Sequence, residues 1–180
     1  MTNEALFEAE QTKSQRDHHT PTAGAMTSHI VANLVIHSLK IRQAKWFIKG
    51  SATLFIRQYA DEWINQEQDF LNQINDILIS EQEMVATLTT QFQEYTALTE
   101  SGAQKYATGE QQLFDLVKDF DTQLLFIVKA IALADKEGKL ALSAVLKLLY
   151  AWIAQQISLT QRFLNHDIRE GLYEEDDDDD

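Results

Sequence analysis

Residues 109–138 read GEQQLFDLVKDFDTQLLFIVKAIALADKEG, and apolar side chains recur through them at Leu113, Val117, Phe120, Leu124, Ile127, Ile131 and Ala134. The steps alternate four and three without a break, which keeps all seven side chains on one face of a helix that turns once per 3.6 residues. A strand would need alternation by two, and there is none. The stretch is therefore predicted as a helix over about 108–135 that buries one continuous stripe, the seam of a helical bundle.

The residues after Gly138 repeat the rule. Leu142, Val145, Leu149, Trp152, Leu159 and Phe163 predict a helix over about 139–165, broken only by Gln156. Upstream, Ile30, Leu34, Ile41, Ala44 and Ile48 predict a helix over about 28–50. Ile56, Ala60, Trp63, Phe70, Ile74 and Ile77 predict another over about 54–80. Connections within each pair are short, which makes each pair an antiparallel hairpin, whereas about 27 residues separate the two pairs. The fold class is thus all-α: a four-helix bundle of ferritin-like connectivity, two hairpins joined by one long crossover. Residues 84–98, with Phe92, Tyr95 and Leu98, predict a short extra helix inside that crossover.

Composition agrees with one domain. The 180 residues are 44% hydrophobic, enough for a single core, and a second domain is not expected. The absence of cysteine excludes disulfides, thiolate metal sites and cysteine nucleophiles. No apolar run reaches the roughly 18 residues of a membrane span, and the N-terminus lacks the basic-then-apolar order of a signal peptide. The expected setting is the cytoplasm, with no membrane partner.

The ends of the chain differ from its middle. Residues 1–27 are polar, contain the single proline, Pro21, and are expected to form a flexible arm, with Thr27 or Ser28 capping the first bundle helix. The domain proper is expected over 28–166, followed by an acidic tail, 167–180. Glu174, Glu175 and Asp176 to Asp180 supply seven of the excess negative charges behind the formal net charge of −13. Such a block repels phosphate backbones.

Two segments carry a resemblance. KIRQAKWFIKG at residues 40–50, with Trp46 four residues before Gly50, is followed by a second long helix and then by EQQLFDLVKDF at 110–120. With the helix lengths and the small crossover helix, they make residues 28–165 resemble the Dps family, the DNA-binding proteins from starved cells of the ferritin-like superfamily. That resemblance implies a hollow shell of twelve subunits, a role in iron homeostasis or oxidative stress, and iron oxidation at sites shared by two-fold-related subunits.

The family's ligand pattern is a His just before the tryptophan, a second His twelve residues on, an Asp four later, then an Asp and a Glu from the partner subunit. Imidazole and carboxylate suit ferrous iron while leaving positions open for an oxidant. In this sequence the matching positions are Lys45, Arg57, Asp61, Asn72 and Asp76. Asp61 and Asp76 alone retain carboxylates as candidate metal ligands. An ammonium and a guanidinium have no lone pair to offer at neutral pH. The resemblance therefore implies a degenerate ferroxidase site, remodelled as an ion-pair cluster of these five residues; the plainer alternative is an ordinary Arg57–Asp61 pair on a polar helix face. No catalytic or cofactor-binding residue is assigned, and no cofactor is expected unless iron is still used. The family also places acidic residues near its three-fold pores, where this chain has Lys139, Leu140, Ala141, Leu142, Ser143 and Ala144.

Other chemistry-bearing residues read as structural. His18 and His19 lack a third spaced metal ligand, His29 and His37 lie eight apart and are expected to pack or face solvent, and His166 suits the C-terminal end of a helix. Glu110, Asp115, Asp119 and Asp121 are expected on a solvated outer face. There is no Gly-rich phosphate loop, Ser-His-Asp order or Glu-x-x-His motif. Three functional readings result. The first is a cage-forming homo-oligomer without ferroxidase activity, able to co-assemble with a related subunit. The second is an iron-oxidising and storage protein using the remodelled site. The third is a nucleoid-binding protein, disfavoured because Lys13 and Arg16 face Glu4, Glu8, Glu10 and Asp17 in the arm, so DNA is not an expected partner.

Overall fold

The computed structural model describes residues 2–172; the acidic run Glu174 to Asp180 lies outside them. The described elements are helices α1 (Asn3–His19), α2 (Ala23–Phe47), α3 (Ala52–Ser80), α4 (Thr89–Tyr95), α5 (Gly109–Glu137) and α6 (Leu140–Phe163), with a 3-10 turn at Gly102–Tyr106. Helices α2, α3, α5 and α6 form the bundle, with α2–α3 and α5–α6 as its hairpins and α4 in the crossover. This is the expected all-α, ferritin-like arrangement.

The apolar stripes close on one core. Ile30, Leu34 and Ile41 of α2, Ile56, Trp63 and Ile74 of α3, Leu113, Phe120 and Ile127 of α5 and Leu142 and Leu149 of α6 are all essentially inaccessible to solvent. Gln156, the break in the α6 stripe, accepts a hydrogen bond from Trp63 Nε1 at 3.0 Å and donates to the Trp152 carbonyl at 3.2 Å. The break is thus a partner for a buried indole, whose N–H would otherwise be orphaned. Helix α6 is the one described helix long and apolar enough to cross a membrane by length and composition, an amendment to the sequence reading. Its stripe here faces the other bundle helices.

Helix boundaries follow local chemistry. Thr108 caps α5 by accepting from Gln111 N, while the Gln111 side chain accepts from Thr108 N, a reciprocal capping box. Gly138 ends α5 in the left-handed region, with φ 73°, and permits the short turn into α6. Gly109 is needed for another reason: an added Cβ would sit 2.6 Å from the Lys49 carbonyl oxygen, where α5 starts against the α2–α3 turn.

The N-terminal segment departs from the sequence reading. Within the segment expected as a flexible arm, Asn3–His19 forms a helix, and α2 begins at Ala23, five residues before the expected start. Thr22 is the cap, accepting from Ala25 N, while Thr27 and Ser28 lie inside the helix and donate back to the Ala23 and Gly24 carbonyls. The long-range partners decide this. Ala23 N–H donates to Glu137 at 2.8 Å, and Lys13 of α1 reaches Glu83 at 3.4 Å. Glu83 also meets Lys139, which lies within 3.6 Å of Glu81 and 3.4 Å of Glu137, and the Ser14 hydroxyl is 3.2 Å from that of Tyr95. Apart from Lys139 and Glu137, two residues apart, none of these partners is close in sequence. Burial alone would push the Glu83 carboxyl up, but Lys139 and Lys13 outweigh it and hold the carboxyl below its ordinary range.

Candidate functional site

The five positions singled out in the sequence lie on the α2–α3 hairpin. Lys45 occupies the last turn of α2, and Asp61 the third turn of α3, reached through the turn at Gly50, whose φ is 77°. The Lys45 ammonium lies 2.6 Å from Asp61 Oδ1, a short charge-assisted contact between the two helices. Arg57 is exposed one helical turn before Asp61 and makes no ion pair with any described residue, so the i, i+4 pair of the plainer alternative does not form. Asn72 accepts from Gln68 Nε2 at 3.1 Å, and Asp76 is exposed.

Helix geometry separates the five into two groups. At 1.5 Å per residue, Asn72 and Asp76 lie about 16 and 22 Å along α3 from Asp61. One chain therefore presents Lys45, Arg57 and Asp61 at one end and Asn72 and Asp76 at the other, and only Lys45 and Asp61 touch. Among the described residues, no group of three His, Asp or Glu side chains is arranged to hold a metal ion. At the Lys45 end the donor set does not fit one: the cations have no lone pair, and one oxygen of the only carboxylate is engaged by Lys45.

The same hairpin also exposes large apolar side chains. Trp46 is 70% exposed and Leu54 80%, with Phe47 and Leu39 exposed on the same hairpin. Trp63, a member of the α3 stripe, is fully buried among Phe55, Tyr59 and Phe120. At the α5–α6 turn, Leu140, Ala141 and Ala144 are exposed, while the nearby carboxylates Glu81, Glu83 and Glu137 are gathered on Lys139.

Two expectations about charged residues are corrected. Asp119 and Asp121 of α5 are buried, not on a solvated face: Asp119 pairs with Lys40 at 2.6 Å and Asp121 with Arg169 at 2.6 Å. His37 neither faces solvent nor simply packs; its Nδ1 is 2.5 Å from Glu67 Oε1, with both side chains buried. The sequence held a signal for this pair. His37 lies in register between Leu34 and Ile41, and Glu67 between Trp63 and Phe70, so both occupy stripe positions. His29 is half-buried and donates to the Tyr95 carbonyl at 2.7 Å, while His166 is 3.0 Å from Gln161 Oε1.

The architecture defines a ferritin-like four-helix-bundle protein, and the five positions singled out in the sequence lie on one of its hairpins. No family model matches the chain. Its sequence is 24% identical over 137 residues to the DNA protection during starvation protein of Listeria monocytogenes, spanning 76% of this chain and 88% of that one. The DpsB protein of Lactococcus lactis MG1363 matches at a TM-score of 0.87 and 34% identity, over 93% of this chain and 96% of its own. The DpsA protein of the same organism matches at 0.88 and 32% identity, over 94% and 99%. The chain belongs to the Dps family.

Proposed function

We propose that this chain is a subunit of a closed Dps-type shell in the cytoplasm in which the iron-oxidising site has been rebuilt as a protein ion pair. The observation that carries this reading is the 2.6 Å contact between Lys45 and Asp61, at the positions where the family resemblance places a histidine and an aspartate. An arriving ferrous ion would meet two fixed cations, Lys45 and Arg57. Each like-charge contact at about 4 Å costs about 1–4 kcal/mol, where about 1.4 kcal/mol is tenfold in affinity. Asn72 and Asp76, too far along α3 to join the pair in one chain, could reach it only from another copy. The exposed Trp46 and Leu54 supply apolar area for that contact. Twelve subunits of 20.6 kDa would have a mass of about 250 kDa, and co-assembly with a related subunit fits the same surface.

Iron uptake tests the reading. The purified protein is expected to oxidise ferrous iron at the buffer rate and to accumulate no mineral. The variant carrying Lys45→His, Arg57→His, Asn72→Asp and Asp76→Glu is expected to gain saturable oxidation. Saturable oxidation by the unmodified protein would replace this reading with that of an active iron enzyme using a remodelled site.

The name of the Listeria relative favours a second reading, DNA association. The charge of α1 argues against it. Lys13 is paired with Asp17 and Glu83, and Arg16 with Asp17. No retardation of duplex DNA is expected at about 150 mM salt, and a clear shift there would restore the nucleoid reading.

A further inference from the structure

The charged pair deepest in the molecule takes no part in the site described above. His37 and Glu67 join α2 to α3 inside the bundle, with side-chain exposures of 0% and 1% and a contact of 2.5 Å. Phe120 of α5 closes over the imidazole edge-on, its ring centre 4.4 Å away. Neither His37 Nε2 nor Glu67 Oε2 has a hydrogen-bond partner among the described residues, and both atoms are sealed from solvent.

That arrangement makes one proton structurally valuable. With the proton present, an imidazolium faces a carboxylate, or a neutral imidazole faces a carboxylic acid, and the pair carries no net charge. Without it, a lone carboxylate remains in an apolar layer with one oxygen unpartnered, the costly state for a buried group. The surrounding charges do not replace it. From α2, Lys40 is committed to Asp119 at 2.6 Å, to Asp115 at 3.2 Å and to the Thr99 carbonyl at 2.9 Å. Arg42, also on α2, donates to the Ser38 carbonyl and hydroxyl. From α5 come Asp115 and Asp119, which add negative charge, and α6 presents Trp152 against Phe120.

We propose that His37 and Glu67 form a buried proton-binding clasp that holds α2 against α3 at neutral and mildly acidic pH and loosens as the pH rises. The titration directions agree. Burial by itself would push the His37 imidazole down, but the Glu67 carboxylate, helped by Asp119, outweighs it and holds the proton above the ordinary imidazole value. Burial holds the Glu67 carboxyl up against the pull of His37, and holds Asp119 up against His37 and Lys40. A group whose folded pKa is raised contributes stability that is complete below its unfolded value and is lost as pH rises through the folded one. For His37 the loss therefore starts above 6.5, with the folded state holding about one proton more than the unfolded chain.

The test compares the full-length protein with Glu67→Gln by chemical unfolding between pH 5.5 and 9. Glutamine still accepts from a neutral imidazole but leaves burial free to lower the His37 pKa. The unmodified protein is expected to lose stability relative to the variant as pH rises, by up to about tenfold in the folding equilibrium per pH unit. Glu67→Gln is expected to lose stability on acidification through 6.5, so that the two profiles cross. Parallel profiles would overturn the proposal. If the variant does not fold, nitrogen NMR of histidine-labelled native protein decides the matter. One of the five imidazoles is expected to keep its extra proton above the pH at which the others have lost theirs, and common titration of all five would overturn the clasp.

Discussion

Two ion pairs bridge the same two helices and behave as opposites. His37 and Glu67 are sealed in the bundle, while eight residues along α2 the Lys45–Asp61 pair stands open, with the Asp61 side chain 67% exposed. Solvent is the difference. In the closed pair each partner is the other's substitute for water, so neither can be removed singly. In the open pair, water can replace either partner, and the contact is worth little to the isolated chain. The closed pair therefore concerns how the hairpin holds together, and the open pair concerns what the hairpin meets next.

Breaking the closed pair should give the largest effect. Glu67→Ala strands a buried imidazole and empties a stripe position, and a loss of about 3–5 kcal/mol is expected in urea unfolding. A loss below about 1 kcal/mol would place the pair in the same class as the open one. Gly109→Ala probes the turn that holds the open pair's end of the hairpin, because the new methyl would press on the Lys49 carbonyl and on Ala52 Cβ at 2.9 Å. A cost of about 1–3 kcal/mol is expected, and a neutral outcome would show that this end gives way easily.

Acid should separate the regions further. The Glu83 carboxyl is held below its ordinary value, so its contribution is present above 4.5 and lost as pH falls through the folded value. Solvent screening keeps this below about 1 kcal/mol. Protection against hydrogen exchange, taken relative to the intrinsic rate at each pH, is expected to fall in α1 below that pH while amides beside His37 keep theirs; a uniform loss of protection would contradict the anchoring role of Glu83. The smallest effect belongs to the open pair, where Asp61→Asn is expected to change the stability of the unassembled chain by about 0–1 kcal/mol. A larger loss would mean that the contact already serves as structure within one subunit.

Much of this contrast was legible in the sequence, though unevenly. The register of Leu113 to Ala134 established α5, and the breaks at Gly50 and Gly138 marked both hairpins. The Lys45 and Arg57 substitutions, beside the retained Asp61, stood out because a family pattern gave those positions a role. His37 was misread and Glu67 passed over because a charged residue was weighed by its type instead of its register. The helix of the N-terminal segment was not legible, because polar composition says nothing about a distant anchor such as Glu83 or Tyr95.

By itself the sequence determined the all-α class, the two hairpins, the core stripes and the loss of both imidazoles from the expected ligand set. All of these depend on residue type and on spacing along one helix, which are local quantities. The tertiary structure alone decided that Lys45 meets Asp61, that Arg57 meets neither, that Asp119 and Asp121 are buried, and that His37 finds Glu67 thirty residues away. A charge on a helix becomes a surface group or a sealed pair according to which helix packs across from it and whether water still reaches it, and both are set only when the bundle closes.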